Sequence, residues 1–163
     1  MNAHDALKTT IGIGQFVSMA YLADLTDADL MRRAAPGVNH INWQLGHLIV
    51  ADHNHITSIL PAAMPPLPQG FERIYSKETV SSDDANAFLD KATLLKTFEE
   101  QRAALIKAFD SVSAEDLDRP APEKYLQYAK NWGALFELAG SHWLMHCGQW
   151  AVVRRQLGKP ALF

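Results

Sequence analysis

The sequence predicts an all-α protein: a four-helix bundle with a long crossover between its second and third helices. Three observations carry this. Apolar residues recur at three- and four-residue spacing along four long stretches, the period of one helix face. No stretch alternates apolar and polar residues as a half-buried strand would. Pro61, Pro65, Pro66, Pro68 and Gly70 open an irregular segment that lasts to about Asp83. That is longer than the connections of a simple up-and-down bundle and long enough to cross the bundle end.

The first helix runs from about Asp5 to Asp24, with Leu7, Ile11, Ser18 and Leu22 near one face and with Gly12 and Gly14 permitting close packing of a neighbour. The second runs from about Asn42, a plausible N-cap, to Leu60, where Pro61 stops it. The third runs from about Asp83 to Val112, with Phe88, Leu95, Phe98, Leu105 and Phe109 as core candidates. The fourth starts at a cap on Asn131 and ends before Gly158 and Pro160. Two short turns, Thr26–Leu30 and Ser113–Leu117, each offer a capping hydroxyl, early acidic residues and a leucine to pin inward. Each precedes an Asn-Trp pair, Asn42-Trp43 and Asn131-Trp132, a faint two-fold echo of helix pairs.

The whole chain, residues 1–163, reads as one domain. With 48% hydrophobic and 20% charged residues it is too apolar for a disordered chain. A net charge of −3 and only two adjacent basic pairs, Arg32-Arg33 and Arg154-Arg155, give no basic surface for nucleic acid or anionic membrane. No stretch approaches the roughly 20 apolar residues of a membrane span. Met1–Asp5 lack a basic region leading into an apolar one, so a cytoplasmic location is expected. The lone Cys147 excludes an intramolecular disulfide and reads as a small packed hydrophobe in a reducing compartment.

The chemistry-bearing residues are histidines. On the fourth helix Leu135, Ala139, His142, His146, Gln149 and Val153 fall on one inward stripe, so two imidazoles sit one turn apart on an apolar face. Side chains at that spacing converge on one ion at about 2.0–2.1 Å from each nitrogen. On the second helix His47 is the polar residue midway along the stripe Trp43, His47, Val50, Asn54. A third ligand from a facing helix is how bundle-core sites are assembled. Spacing alone leaves two readings open: a divalent ion on His47, His142 and His146, or histidines that hydrogen-bond internally or lie at the bundle surface. Asn54 and Gln149 continue the two stripes and are candidates to orient a ligand or line a pocket. Arg73 and Tyr75, in the crossover, are candidates to cap it. His40 falls in a loop and His4 near the terminus, while His53 and His55 are expected to point away from His47 by helical phase. Helix-dipole complementarity accounts for Arg154 and Arg155. No zincin, di-iron carboxylate, cysteine-cluster, phosphate-loop or hydrolase-elbow pattern is present, and no catalytic residue is assigned.

At three stretches the chain resembles the DinB/YfiT-like superfamily of metal-dependent enzymes. The first is Leu25–Leu30 with Pro36-Gly37, leading to Ile41-Asn42-Trp43-Gln44-Leu45-Gly46-His47-Leu48. The second is His142-Trp143-Leu144-Met145-His146-Cys147-Gly148-Gln149, and the third is the tail Arg154–Pro160. The resemblance implies a four-helix bundle of unusual connectivity and a metal on the three-histidine set His47, His142 and His146. It also implies dimers formed through bundle helices, and in some relatives the transfer or isomerisation of thiol-linked small molecules. It implies no DNA binding. Zinc or nickel would suit imidazole ligands, and three protein nitrogens leave a coordination position for a small-molecule substrate. The competing expectation is a non-catalytic dimeric helical module whose metal is structural or a relic.

Overall fold

The structure, a computed structural model, describes residues 1–163. Six helices form: α1 (Ala3–Leu22), α2 (Asp27–Leu30), α3 (Ile41–Ile59), α4 (Phe71–Ile74), α5 (Lys91–Asp110) and α6 (Trp132–Gln156), with no strand pair beyond one isolated bridge between Pro120 and Asn131. The four long ones make the bundle; α2 and α4 are single turns on the connections. No helix is long and apolar enough to cross a membrane.

Cap chemistry sets the ends and moves several from where sequence spacing put them. Asn2 and Asp5 form a capping box, so α1 begins at Ala3 and ends at Leu22. His40, not Asn42, caps α3: its Nδ1 accepts the Trp43 N–H at 3.0 Å, while the Asn42 amide donates to the Leu89 carbonyl at 2.8 Å. The helix expected from Asp83 begins only at Lys91, capped by Asp90. The reason lies on either side of Leu89, whose N–H donates to Tyr75 Oη and whose carbonyl takes Asn42, leaving the chain extended there. Leu94, fully buried, takes the core position expected of Leu95. Asn131 caps α6 as expected, and Gly158 turns the chain away with φ +72°.

Contacts along the helices fix their directions. Asn42 meets Leu89 near the starts of α3 and α5, and Asp52 meets Arg102 midway along both, so these neighbours run parallel. Consecutive parallel helices need a long return, which the crossover supplies. Gly14 meets Gly140, and Tyr21 meets Arg154, so α1 and α6 also run parallel. Pairs α3/α6 and α1/α5 are antiparallel, as Gln44–His146 with Asp52–Trp143, and Lys8–Asp110 with Lys91–Leu25, require.

A Cβ on Gly14 would lie 2.9 Å from the Gly140 backbone, so these two glycines set the α1–α6 approach; Gly12 faces open space and does not contribute. The core divides in two. One half packs around Trp43, Phe98, Trp143 and Trp150, the other around Ile56, Leu105, Phe109 and Phe136. The buried ion pair Asp52–Arg102 lies at the divide. Leu30 and Leu117 are both buried beneath their capped turns, which bears out the paired turns read from sequence.

Candidate metal centre

The antiparallel crossing of α3 and α6 brings His47, His142 and His146 together. One ring nitrogen from each lies within 4.8 Å of the others. His142 Nε2 and His146 Nε2 are 3.2 Å apart. Two nitrogens bound to one tetrahedral ion at about 2.0–2.1 Å are separated by about 3.3–3.4 Å, so this pair already has the spacing of a shared ion. A single proton could bridge the pair, but it would leave the third ring unused. A cation would engage all three, and the donor set fits a borderline ion such as zinc or nickel.

The hydrogen bonds around His146 decide which of its nitrogens faces the centre. Gln44, 1% exposed, points its amide nitrogen at the Asn39 backbone carbonyl, which can only accept. Its Oε1 therefore faces the other way and accepts from Trp150 Nε1 at 2.8 Å and from His146 Nδ1 at 2.9 Å. Trp150 can only donate, so the assignment is forced from both sides. His146 must carry its proton on Nδ1, leaving the Nε2 lone pair bare and aimed at His142. Gln149 supports this from behind, accepting from the Gln44 amide at 2.9 Å. Gln149 thus acts two hydrogen bonds from the His146 ring, and Gln44, absent from the residues the sequence singles out, is the one that orients it.

His47 is held by packing. Its ring stacks on Trp43 at 4.9 Å and 8° between planes, and Trp43 Nε1 is tied to the Ser76 carbonyl and Thr79 Oγ1 of the crossover. One residue earlier, a Cβ on Gly46 would fall 2.2 Å from the Tyr75 ring. The glycine before His47 therefore exists to admit Tyr75. That ring is buried against α3, its hydroxyl bonded to Asn42 and Leu89, and it does not cap a pocket. Arg73 lies in a separate hollow beside His53 and Glu72. Asn54 turns its amide to Glu72 at 3.2 Å, away from the centre.

Burial, then the neighbouring histidines, pushes His146 down to about 3; burial and His47 push His142 down to about 4. His47 is lowered by burial and by Lys77. All three rings are neutral at physiological pH, the form that binds metal. Cys147 is buried beside Ser18 Oγ at 3.2 Å and its thiol is pushed up to about 11, which suits a packed hydrophobe.

His47 and His142 also face a cleft of about 590 Å³ whose far side carries Leu138, His55 and Tyr128. His55 was expected to point away from His47; it lies two turns on, at i+8, and shares the cleft wall. His53 does turn aside, to Gln101 at 3.0 Å. Arg154 is more than a dipole partner: it is 2% exposed and grips the Tyr21 carbonyl and Asp24, whose carboxyl it holds down at about 2.

Comparison with known proteins agrees with this architecture. The pattern of the DinB superfamily matches residues 17–150. The fold is similar to that of a conserved protein from Enterococcus faecalis known from a crystal structure, with a TM-score of 0.74, 18% identity, and 98% of this chain and 99% of that chain covered. No protein of curated function matches significantly.

Proposed function

The chain belongs to the DinB superfamily, and we propose that it is a metal-dependent enzyme that processes a small molecule at an ion held by His47, His142 and His146. What carries the reading is the convergence of three neutral ring nitrogens within 4.8 Å, with His47 and His142 lining a cleft open to solvent. When bound, zinc or nickel would polarise a substrate carbonyl or lower the pKa of a bound water or thiol. The chain's own contribution is orientation. Gln44 fixes the His146 tautomer, Trp43 backs the His47 ring, and His142 reaches the cleft directly. Three protein ligands leave a position for substrate, the arrangement of catalytic rather than structural sites. A thiol-dependent transferase or a hydrolase fits such a position. A cytoplasmic setting suits the lone buried thiol of Cys147.

Metal analysis of protein purified without a nickel column tests this. About one ion per chain is expected, with loss in His142→Ala. Equal metal content in both proteins, or none in either, would contradict it.

One observation favours a second reading, a dimeric helical module. Ile13 and Phe16 on α1 are 47% and 64% exposed, beside a shallow hollow formed with Gly12 and Met19. A second copy of the chain could cover them. Sedimentation at micromolar concentration decides: a monomer there removes this reading.

A further inference from the structure

The cleft beside the histidine centre has a built polar anchor at its other side. His55 is 7% exposed and its Nε2 lies 3.2 Å from Tyr128 Oη. Its other nitrogen, Nδ1, is buried without a hydrogen-bond partner. A neutral imidazole carries one proton, so one of two arrangements holds. If Nε2 accepts from the tyrosine, a bare N–H is left orphaned in the interior, which native structures rarely tolerate. If Nε2–H donates to Tyr128 Oη, only a lone pair is orphaned, the milder fault. The second arrangement frees the tyrosine's own O–H to point elsewhere. Tyr128 is 56% exposed and lines the cleft, so its hydroxyl has room to donate into it.

The segment that carries Tyr128 is braced. Ala121 N–H donates to the Lys130 carbonyl and Trp132 N–H to that of Arg119, clamping both ends. Tyr125, 7% exposed, donates to the Asn54 carbonyl and packs edge-on against His55 at 5.0 Å. Burial and Tyr125 raise the Tyr128 phenol, so it stays protonated at neutral pH. The rest of the lining has no Asp, Glu, Lys or Arg; the Ser141 hydroxyl is spent on the Glu137 carboxylate at 2.8 Å, and Ala51, Leu138 and Met145 form the apolar wall.

We infer that this cleft binds an uncharged substrate with an apolar body and one acceptor oxygen, which takes a hydrogen bond from Tyr128 while His55 positions the phenol. The inference rests on the metal reading only for what the other end of the substrate meets. The cleft, the anchor and its tautomer exist without an ion.

Two probes of similar size separate the parts: acetophenone, with one acceptor oxygen, and ethylbenzene, with none. Both are titrated into the protein with and without added zinc, following the methyl signals of Ala51, Leu138 and Met145. Both probes are expected to shift these signals at millimolar concentration, and in the zinc-free protein benzoate, which is charged, is not. Tyr128→Phe should weaken acetophenone about fivefold, the scale of one hydrogen bond, and leave ethylbenzene unchanged. Met145→Glu should weaken both probes about tenfold. Imidazole nitrogen–proton correlation spectra should show His55 protonated on Nε2. Absence of probe binding, equal effects of Tyr128→Phe on both probes, or a His55 proton on Nδ1 would overturn the inference. Chelator competition on the same samples reports on the histidine centre separately: failure to bind zinc there, with probe binding intact, would sink the metal reading alone.

Discussion

Two buried polar networks tie α3 to α6, and they differ in kind. Toward the start of α3, Gln44 joins His146, Trp150, Gln149 and Asn39 in a network without a formal charge. Two turns further on, Asp52 accepts from Trp143 at 2.8 Å and from Arg102 at 3.3 Å, and Arg102 also donates to the Ala139 carbonyl at 2.7 Å. That second network joins three helices through an ion pair that is almost fully out of water. The neutral network aims a lone pair and can be small, because all it must fix is the tautomer of one ring. The charged one fixes how α3, α5 and α6 sit together. Its partners are costly to bury and costlier to separate. The first network orients one ring, and the second holds three helices together.

The largest expected effect comes from breaking the architectural network. Arg102→Met strands Asp52 in the core and should lower unfolding free energy by about 3–5 kcal/mol. Pairing it with Asp52→Leu should recover most of the loss, since an apolar pair of similar volume avoids the desolvation. Urea unfolding measures both. In the folded fraction of Arg102→Met the affinity for zinc should be nearly unchanged; a large fall there would show that the two networks are not separate.

Gln44→Leu should do the reverse. It removes the acceptor that holds the His146 proton on Nδ1, and chelator competition should show zinc bound about 10–100-fold more weakly. Retained affinity would mean that the tautomer is set by something else.

Gly46→Ala is next. The new methyl would overlap the Tyr75 ring and should cost about 1–3 kcal/mol, with His47 displaced and zinc weakened as well.

The smallest effect is on pH dependence. Burial, with help from Arg33, pushes His40 down to about 4, and burial with neighbouring charges does the same to His55, against an ordinary value of 6.5. The folded chain therefore binds fewer protons than the unfolded one across that interval. The stability these rings contribute is complete above about 6.5 and is lost as pH falls toward 4. Asp52, raised by burial to about 6, works in the opposite sense between its ordinary value of 3.8 and 6, but it is one group against several histidines. The melting temperature of metal-free protein should fall from pH 7 to pH 4.5. His40→Asn, which keeps an N-cap acceptor, should flatten that slope slightly.

The bundle and its crossover were legible because helical period, proline runs and cap residues are local signals. The His142–His146 pair and His47 were each legible as polar residues midway along an apolar stripe, but spacing left open whether they meet, and only the family resemblance grouped the three. What sequence spacing missed depends on partners far along the chain. Gln44 lies only three residues before His47, yet its role comes from Trp150 and His146, more than a hundred residues on. His40 looked like a loop residue because histidine is an uncommon N-cap, and its ring is fully buried against Phe88. His55 was misjudged by phase: eight residues from His47 is close to two full turns plus a fraction, which still faces the same cleft. The late start of α5 came from Tyr75 and Asn42 holding Leu89 extended, a tertiary constraint with no local trace.

The most direct test is X-ray absorption at the metal edge of protein loaded with one equivalent of zinc. Three imidazole scatterers at about 2.0–2.1 Å are expected, with at least one further light-atom ligand from outside the chain and one imidazole lost in His146→Ala. A shell with fewer than three imidazoles, or one unchanged by that substitution, would contradict the metal reading.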